Sequence, residues 1–365
     1  MPLLVIDSNG QSEIVSLFLT SLETKEAITN MVKAFKSVNP SWCKVGVVVT
    51  DKDFTERAVF EEQFLGVQLQ ICLFHALRSF RREVTVDKLG IRPGERDYSL
   101  EIITKLAYSR SEEEYEKHYA TLLETAPKSV VNYYNANWHV IKHEWVECFK
   151  SACVTFGERT NNRLESINSK VKSVCSKFAS LSRFFDQFFS VLSVLRNERD
   201  HGTVMALVKK PVVFESGQDE FVNLVTPYAY QFILKQQTLR KKVKILTQRS
   251  DFYTVSSSEG TLSVTSSSCQ CAFANTMKLP CRHIFAVRDM QKSPLYSEVG
   301  VANRWKLSYL KEIFKNKSST VQDCSLAIEV LVILFRGLVV AHLPSIRNFR
   351  KPKQLLTNYP LLHQK

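Results

Sequence analysis

Apolar and polar positions change period along the chain, and the changes mark its regions. Leu3-Leu4-Val5-Ile6 is a short apolar run that reads as a strand. Asp7-Ser8-Asn9-Gly10 reads as a turn, because Asn-Gly supplies the positive φ angles of a tight hairpin, and Ile14 to Thr20 reads as the returning strand. Ile28, Met31, Val32 and Phe35 recur at helical spacing and predict a helix over about 25–37. Lys44 to Thr50 (KVGVVVT) is a continuous β-branched run, the pattern of a strand buried on both faces. A helix around Glu56 to Phe64, a strand from Val67 to Leu73 and a helix carrying Arg78, Arg81 and Arg82 complete an α/β opening.

From about residue 97 to 200 the pattern is mainly helical. Its aromatic anchors are Trp138, Trp145, Phe184, Phe185, Phe188 and Phe189, and Ser111 with Glu114 fits a capping box. Residues 201–240 read as a connector with some helix. Val243 to Val264 holds two or three short strands, with turn signals at Arg249-Ser250-Asp251 and Glu259-Gly260. Ser325 to Leu343 is strongly apolar but contains Glu329 and Arg336. A charge at a membrane centre costs ~2.5–3.5 kcal/mol on insertion scales, so this segment is read as a buried helix or strand pair rather than a membrane span.

Composition sharpens the picture. With 365 residues, 44% of them apolar, the chain can bury a sizeable core in two or three domains. Lysine and arginine (49) exceed aspartate and glutamate (36) by 13, an excess that fits a polyanionic partner, most simply nucleic acid. The nine cysteines are odd in number, and most are scattered singly. No basic flank or cleavage site follows Met1, so a reducing compartment is expected. Cys43, Cys148, Cys153 and Cys175 are then expected as small buried apolar residues.

The clustered cysteines read differently. Cys269-Gln-Cys271, nine residues, then Cys281-Arg-His283 places four thiolate and imidazole ligands within fifteen residues. That set suits tetrahedral zinc, and with no position left for water the site is structural rather than catalytic. Pro280 suits the first turn of a following helix, which brings Cys281 and His283 together. A module this small gains much of its folding energy from the metal.

Cys-x-Cys-x9-Cys-x-His, with Leu279-Pro280-Cys281-Arg282-His283-Ile284, resembles the SWIM zinc finger, a module that accompanies Mutator-like transposases and proteins derived from them. The resemblance implies binding to DNA or to protein, and with it a nuclear location.

A second set of residues extends the resemblance. Asp51 closes a buried strand, where a carboxylate can hold a divalent metal beside a phosphodiester, although turn-forming aspartates are common at strand ends. Thr50-Asp51-Lys52-Asp53 followed by Cys72-Leu73-Phe74-His75 resembles the Mutator-like transposase domain, an RNase H-like fold. Asp51 matches that family's second catalytic aspartate, and Cys72 and His75 match its Cys-x-x-His, for which a structural role is expected. Thr160-Asn161-Asn162-Arg163-Leu164-Glu165-Ser166-Ile167-Asn168 resembles the stretch that carries the third acid, which Glu165 matches. Asn168 falls on the same helix face, and Arg159, Arg163, Lys170 and Lys172 surround them as a phosphate-binding surface.

One element of the family pattern has no counterpart. Its first catalytic aspartate lies on the strand before the hairpin, and Met1-Pro2-Leu3-Leu4 already matches the next strand. Asp7 sits in the turn, Asp53 is too close to Asp51 to stand on a neighbouring strand, and Glu23 has no assigned role. Loss of a central strand is expected to leave sheet edges and apolar faces exposed.

The expected organisation is α/β: a truncated RNase H-like (DDE transposase) domain over 1–200, helical from about 97, a connector over 201–242, a small ββα SWIM finger region over 243–310, and an unassigned tail over 311–365. The leading expectation is a transposase-derived, zinc-binding protein without catalysis that binds DNA. The alternatives are an active transposase, which would use a divalent metal such as Mg2+ at Asp51 and Glu165, and an adapter that binds other proteins through the finger.

Overall fold

The computed structural model describes residues 2–20, 22, 24–51, 53–150, 153–158, 162–176, 179–208, 220–249, 252–319 and 330–333. Strands β1 (Pro2–Ile6) and β2 (Ser12–Leu17) form the expected antiparallel hairpin, with Leu4 opposite Ile14 and Ile6 opposite Ser12. Its turn is wider than a two-residue Asn-Gly turn. Asp7 organises it by accepting the amides of Asn9 (2.9 Å) and Gln11 (2.8 Å), and Gly10 alone of these residues takes a positive φ, +71°. A Cβ on Gly10 would stand 2.5 Å from the Tyr228 ring, so glycine serves both the turn and its docking.

Helix Lys25–Val38 buries Ile28, Met31, Val32 and Phe35, the four residues expected from spacing. Strand β3 (Val47–Thr50) is buried throughout and pairs in parallel with β4 (Gln68–Ile71). The connecting helix, Phe54–Gln63, is capped by Asp53, whose carboxylate accepts the amides of Thr55 and Glu56. Both acids set aside from chemistry, Asp7 and Asp53, therefore work as local backbone caps.

Helix Leu73–Glu83 leads into the helical region. There Pro93–Ala107, Glu112–Thr125 and Lys128–Asn137 enclose an aromatic core in which Phe80, Trp138, Trp145, Tyr115 and Tyr134 are buried. Phe80 and Trp138 pack with ring centroids 4.3 Å apart and their planes tilted by 33°. The capping box at Ser111 is half formed. Ser111 accepts the Glu114 amide, but the Glu114 carboxylate accepts the amide of Arg110, one residue before the reciprocal position.

Helices Asn162–Val174 and Leu181–Val208 pack across the hairpin face of the sheet, where buried Glu13 is paired with Arg196 (3.0 Å) and Arg199. The stretch expected as a connector carries two helices, Phe221–Leu224 and Pro227–Leu239. Their Phe221, Ala229 and Ile233 belong to a single apolar cluster that runs from Leu4 and Val49 through Leu164 and Phe188 to Met277, Phe285 and Trp305. A second sheet follows, with β5 (Lys244–Gln248), β6 (Tyr253–Ser257) and β7 (Gly260–Val264) in antiparallel order. Helices Ala272–Met277 and Arg282–Met290 close over it.

The expectation of an open, truncated N-terminal sheet is corrected by β8 (Val330–Ile333). The strand order is β2-β1-β8-β3-β4, so residues from the unassigned tail stand at the centre of the first sheet. The rest of the apolar stretch 325–343 lies outside the described residues. Among those described, no helix is long and apolar enough to cross a membrane.

Candidate metal centre

Cys269, Cys271, Cys281 and His283 are all buried, and one ligand atom from each lies within 4.8 Å of the others. Among the described residues this is the group of three or more Cys, His, Asp or Glu side chains that converges in this way. Local structure explains the convergence. Cys269 is held by an isolated bridge to Val264 at the end of β7, and Cys271 caps helix Ala272–Met277. Cys281 is the N-cap of helix Arg282–Met290, so His283 follows one residue into its first turn. Pro280 stands just before this cap rather than within the first turn.

The spacings suit a tetrahedral ion. His283 Nδ1 lies 3.7 Å from both Cys269 Sγ and Cys281 Sγ. Zinc at ~2.3 Å from sulfur and ~2.0 Å from nitrogen requires ligand separations of roughly 3.5–3.8 Å. On the far side of the ring, His283 Nε2 is 2.9 Å from Ser257 Oγ. With Nε2–H donating to that hydroxyl, the Nδ1 lone pair faces the thiolates, the tautomer that a metal needs. The amides of Cys271 and Ala274 donate to Cys269 Sγ and Cys271 Sγ, each at 3.4 Å. Hydrogen bonds from Cys271 and Cys281 pull the Cys269 thiol down to about 4, whereas burial pushes the Cys281 thiol up. The cluster thus already favours one thiolate, and a divalent ion supplies the charge that lets the other sulfurs ionise.

The centre is tied to the main core through the residues between Cys271 and Cys281. Phe156 donates its amide to Thr276 O (2.8 Å), Trp305 its indole N–H to Met277 O (2.6 Å), and Ala302 its amide to Lys278 O (3.0 Å). Lys278 takes a left-handed φ of 51° to end the short helix. This spacer helix was not visible in the sequence, because six residues are too few to display a period.

The carboxylate residues also come together, around an imidazole. His75 Nδ1 lies 2.9 Å from Asp51 Oδ1, and its Nε2 lies 3.2 Å from Glu165 Oε1. Burial lowers the His75 pKa, but hydrogen bonds and charge attraction from Asp51 and Cys72 outweigh it and raise the group to about 10. Asp51 directly follows the last residue of β3, His75 stands in the first turn of helix Leu73–Glu83, and Glu165 in the first turn of helix Asn162–Val174. The four residues that resemble a transposase site therefore share one place, with a cationic ring between the two carboxylates. Lys150, which the sequence did not single out, is buried nearby and donates to Ile71 O at 2.8 Å, and burial lowers it to about 8.

The basic residues divide. Arg163 is engaged internally, since its guanidinium donates to Gly10 O and pairs with Glu158 (3.2 Å). That corrects its expected place on a phosphate-binding surface. Lys170 and Lys172 are exposed, and Arg159 lies outside the described residues. A richer cationic surface adjoins the metal centre. Residues 221–249 contain six lysines and arginines and no carboxylate. Arg240 is paired with Asp289 (3.2 Å), whereas Lys235, Lys241, Lys242 and Lys244 are exposed and form no ion pair among the described residues. The missing acids over this stretch were the available signal in the sequence.

Comparison with known families gives one finding. Residues 1–70 match the model described as Zinc finger SWIM domain-containing protein 1/3, RNaseH-like domain. The matched span takes in β1 to β3 and most of β4, the part of the chain that ends beside Asp51 and His75.

Proposed function

We propose that this chain is a transposase-derived SWIM-type protein that holds one structural zinc ion and binds nucleic acid without cutting it. The convergence of Cys269, Cys271, Cys281 and His283 within 4.8 Å carries the zinc reading. Zinc there organises the fold of residues 243–310 and performs no chemistry, because four protein ligands complete its coordination.

The binding reading is supported by the net charge of +13 and by the exposed lysines at 235, 241, 242 and 244 beside the finger sheet. Phosphates recruit such side chains mainly through charge and counterion release. Lys170 and Lys172 extend the basic surface on the N-terminal side. A DNA partner places the protein in the nucleus.

The non-catalytic reading rests on His75. Two-metal phosphoryl transfer needs carboxylates that converge on the ions. Here Asp51 and Glu165 are separated by an imidazole ring that pairs with both. The rival reading, an active transposase, draws on the same pair of acids. It requires strand transfer or nicking that depends on Mg2+ or Mn2+ and is lost in Asp51→Asn.

Metal analysis of the purified protein tests the main proposal. One zinc per chain is expected, and its loss in Cys281→Ser. Full occupancy in that variant rejects the site. Absence of duplex DNA affinity at low salt rejects the nucleic-acid reading.

A further inference from the structure

Strand β8 stands between β1 and β3 and pairs with both. It runs parallel to β3, with Val47 opposite Val330, Val48 opposite Leu331 and Val49 opposite Val332. It runs antiparallel to β1, with Leu3 opposite Ile333 and Leu4 opposite Val332. Its neighbours on both sides are deeply buried, because Leu3, Leu4, Val48 and Val49 are each 0% exposed. The outer edges of these neighbours are already taken, by β2 and β4.

The slot between them therefore has to be filled. An empty slot would leave the inner edges of β1 and β3 with unpaired N–H and C=O groups away from water. Each such group costs roughly 1–3 kcal/mol. Val-Leu-Val-Ile is the composition of a strand covered on both faces, and it contains no group that needs water.

We propose that Val330–Ile333 is a strand insert, supplied in cis from the far end of the described chain, on which closure of the N-terminal sheet depends. The same register has a chemical consequence. Because β8 is parallel to β3, it ends at the edge of the sheet where Asp51 follows Thr50. None of its four residues is titratable, so the strand that closes the sheet brings no carboxylate from these positions to the Asp51–His75–Glu165 group.

Cysteine cross-linking in the full chain tests the register. Leu4→Cys with Val332→Cys joins residues that are opposite each other. Leu4→Cys with Leu331→Cys is the control, one residue out of register and on the other face. After mild oxidation and digestion, mass spectrometry is expected to find the 4–332 linkage within one chain, at several-fold higher yield than the control. Equal yields, or linkage between two chains, overturns the proposal. A second measurement does not need a disulfide. Val332→Pro removes a ladder N–H and is expected to lower hydrogen-exchange protection of the β1 and β3 amides at least tenfold, whereas Val332→Thr keeps it. Unchanged protection in Val332→Pro overturns the proposal as well.

Discussion

Trp305 donates its indole N–H to the carbonyl of Met277 at 2.6 Å, and Met277 lies in the spacer between the second and third metal ligands. The bond joins the metal centre to the central core, in which both residues are buried. Residues 243–310 are therefore continuous with the rest of the fold, and a metal held by the four ligands is expected to be felt outside them.

Removal of zinc is expected to loosen the core as well as the sheet and helices around the four ligands. Structural zinc contributes on the order of 10 kcal/mol to small domains at neutral pH. Chelation should lower the thermal midpoint by many degrees and shift tryptophan emission to the red, as Trp305 loses the spacer that covers it. An unchanged midpoint and spectrum would show that the spacer docks without the metal.

Ser257 is expected to set the zinc affinity without touching zinc. Ser257→Ala removes the acceptor of the His283 Nε2 proton, and loss of such a partner weakens a site ~10–100-fold. Competition with a chromophoric chelator measures this. Equal affinity in the variant refutes the assigned tautomer.

His75 makes a pH-dependent contribution of definite sign. Its pKa is raised from 6.5 to about 10 on folding, so the folded protein holds the proton more tightly. The stabilisation is complete below about pH 6.5 and declines as pH rises towards 10. The stability gap between wild type and His75→Gln, followed by urea unfolding, should narrow over that interval. A gap that widens with pH contradicts the ion pair with Asp51.

Charge reversal at Lys241, Lys242 and Lys244 is expected to weaken duplex DNA binding at every sequence tested. Each lost phosphate contact reduces the slope of log K against log salt by ~0.9. Reversal at Lys170 and Lys172 tests the second surface by the same titration. Arg163→Ala should instead lower stability, because its partners are Gly10 O and Glu158.

Two glycines separate backbone strain from crowding. Gly10 and Gly90 both have positive φ, +71° and +62°, but only Gly10 has a neighbour within 4 Å of a new Cβ. Gly90→Ala should cost about 1–2 kcal/mol for the left-handed conformation alone. Gly10→Ala should cost more, since the Tyr228 ring must also move. Urea midpoints that are equal for the two variants exclude the crowding.

What the sequence displayed was mostly local. The spacing of Ile28, Met31, Val32 and Phe35 displayed a helix face, Val47 to Val49 a buried strand, and the four metal ligands a cluster within fifteen residues. Each of these depends on neighbours along the chain. The hidden features depend on distant ones. Arg163 reads as a free cation until Gly10 and Glu158 are folded against it. His75 carries no sign that it will stand between two carboxylates contributed by residues 51 and 165. Val330–Ile333 lies in a long apolar run that fits helix or strand equally well, and its partners are at residues 3–4 and 47–49. Periodicity has no access to a pairing over such a separation.

The central strand also arrives late during synthesis. β4 is complete at Ile71, and β8 begins at Val330, about 260 residues later. At roughly 5–20 residues per second, the ribosome needs about 13–50 s to make that interval. While that interval is being made, β1 and β3 wait for the strand that pairs with both of them in the folded structure.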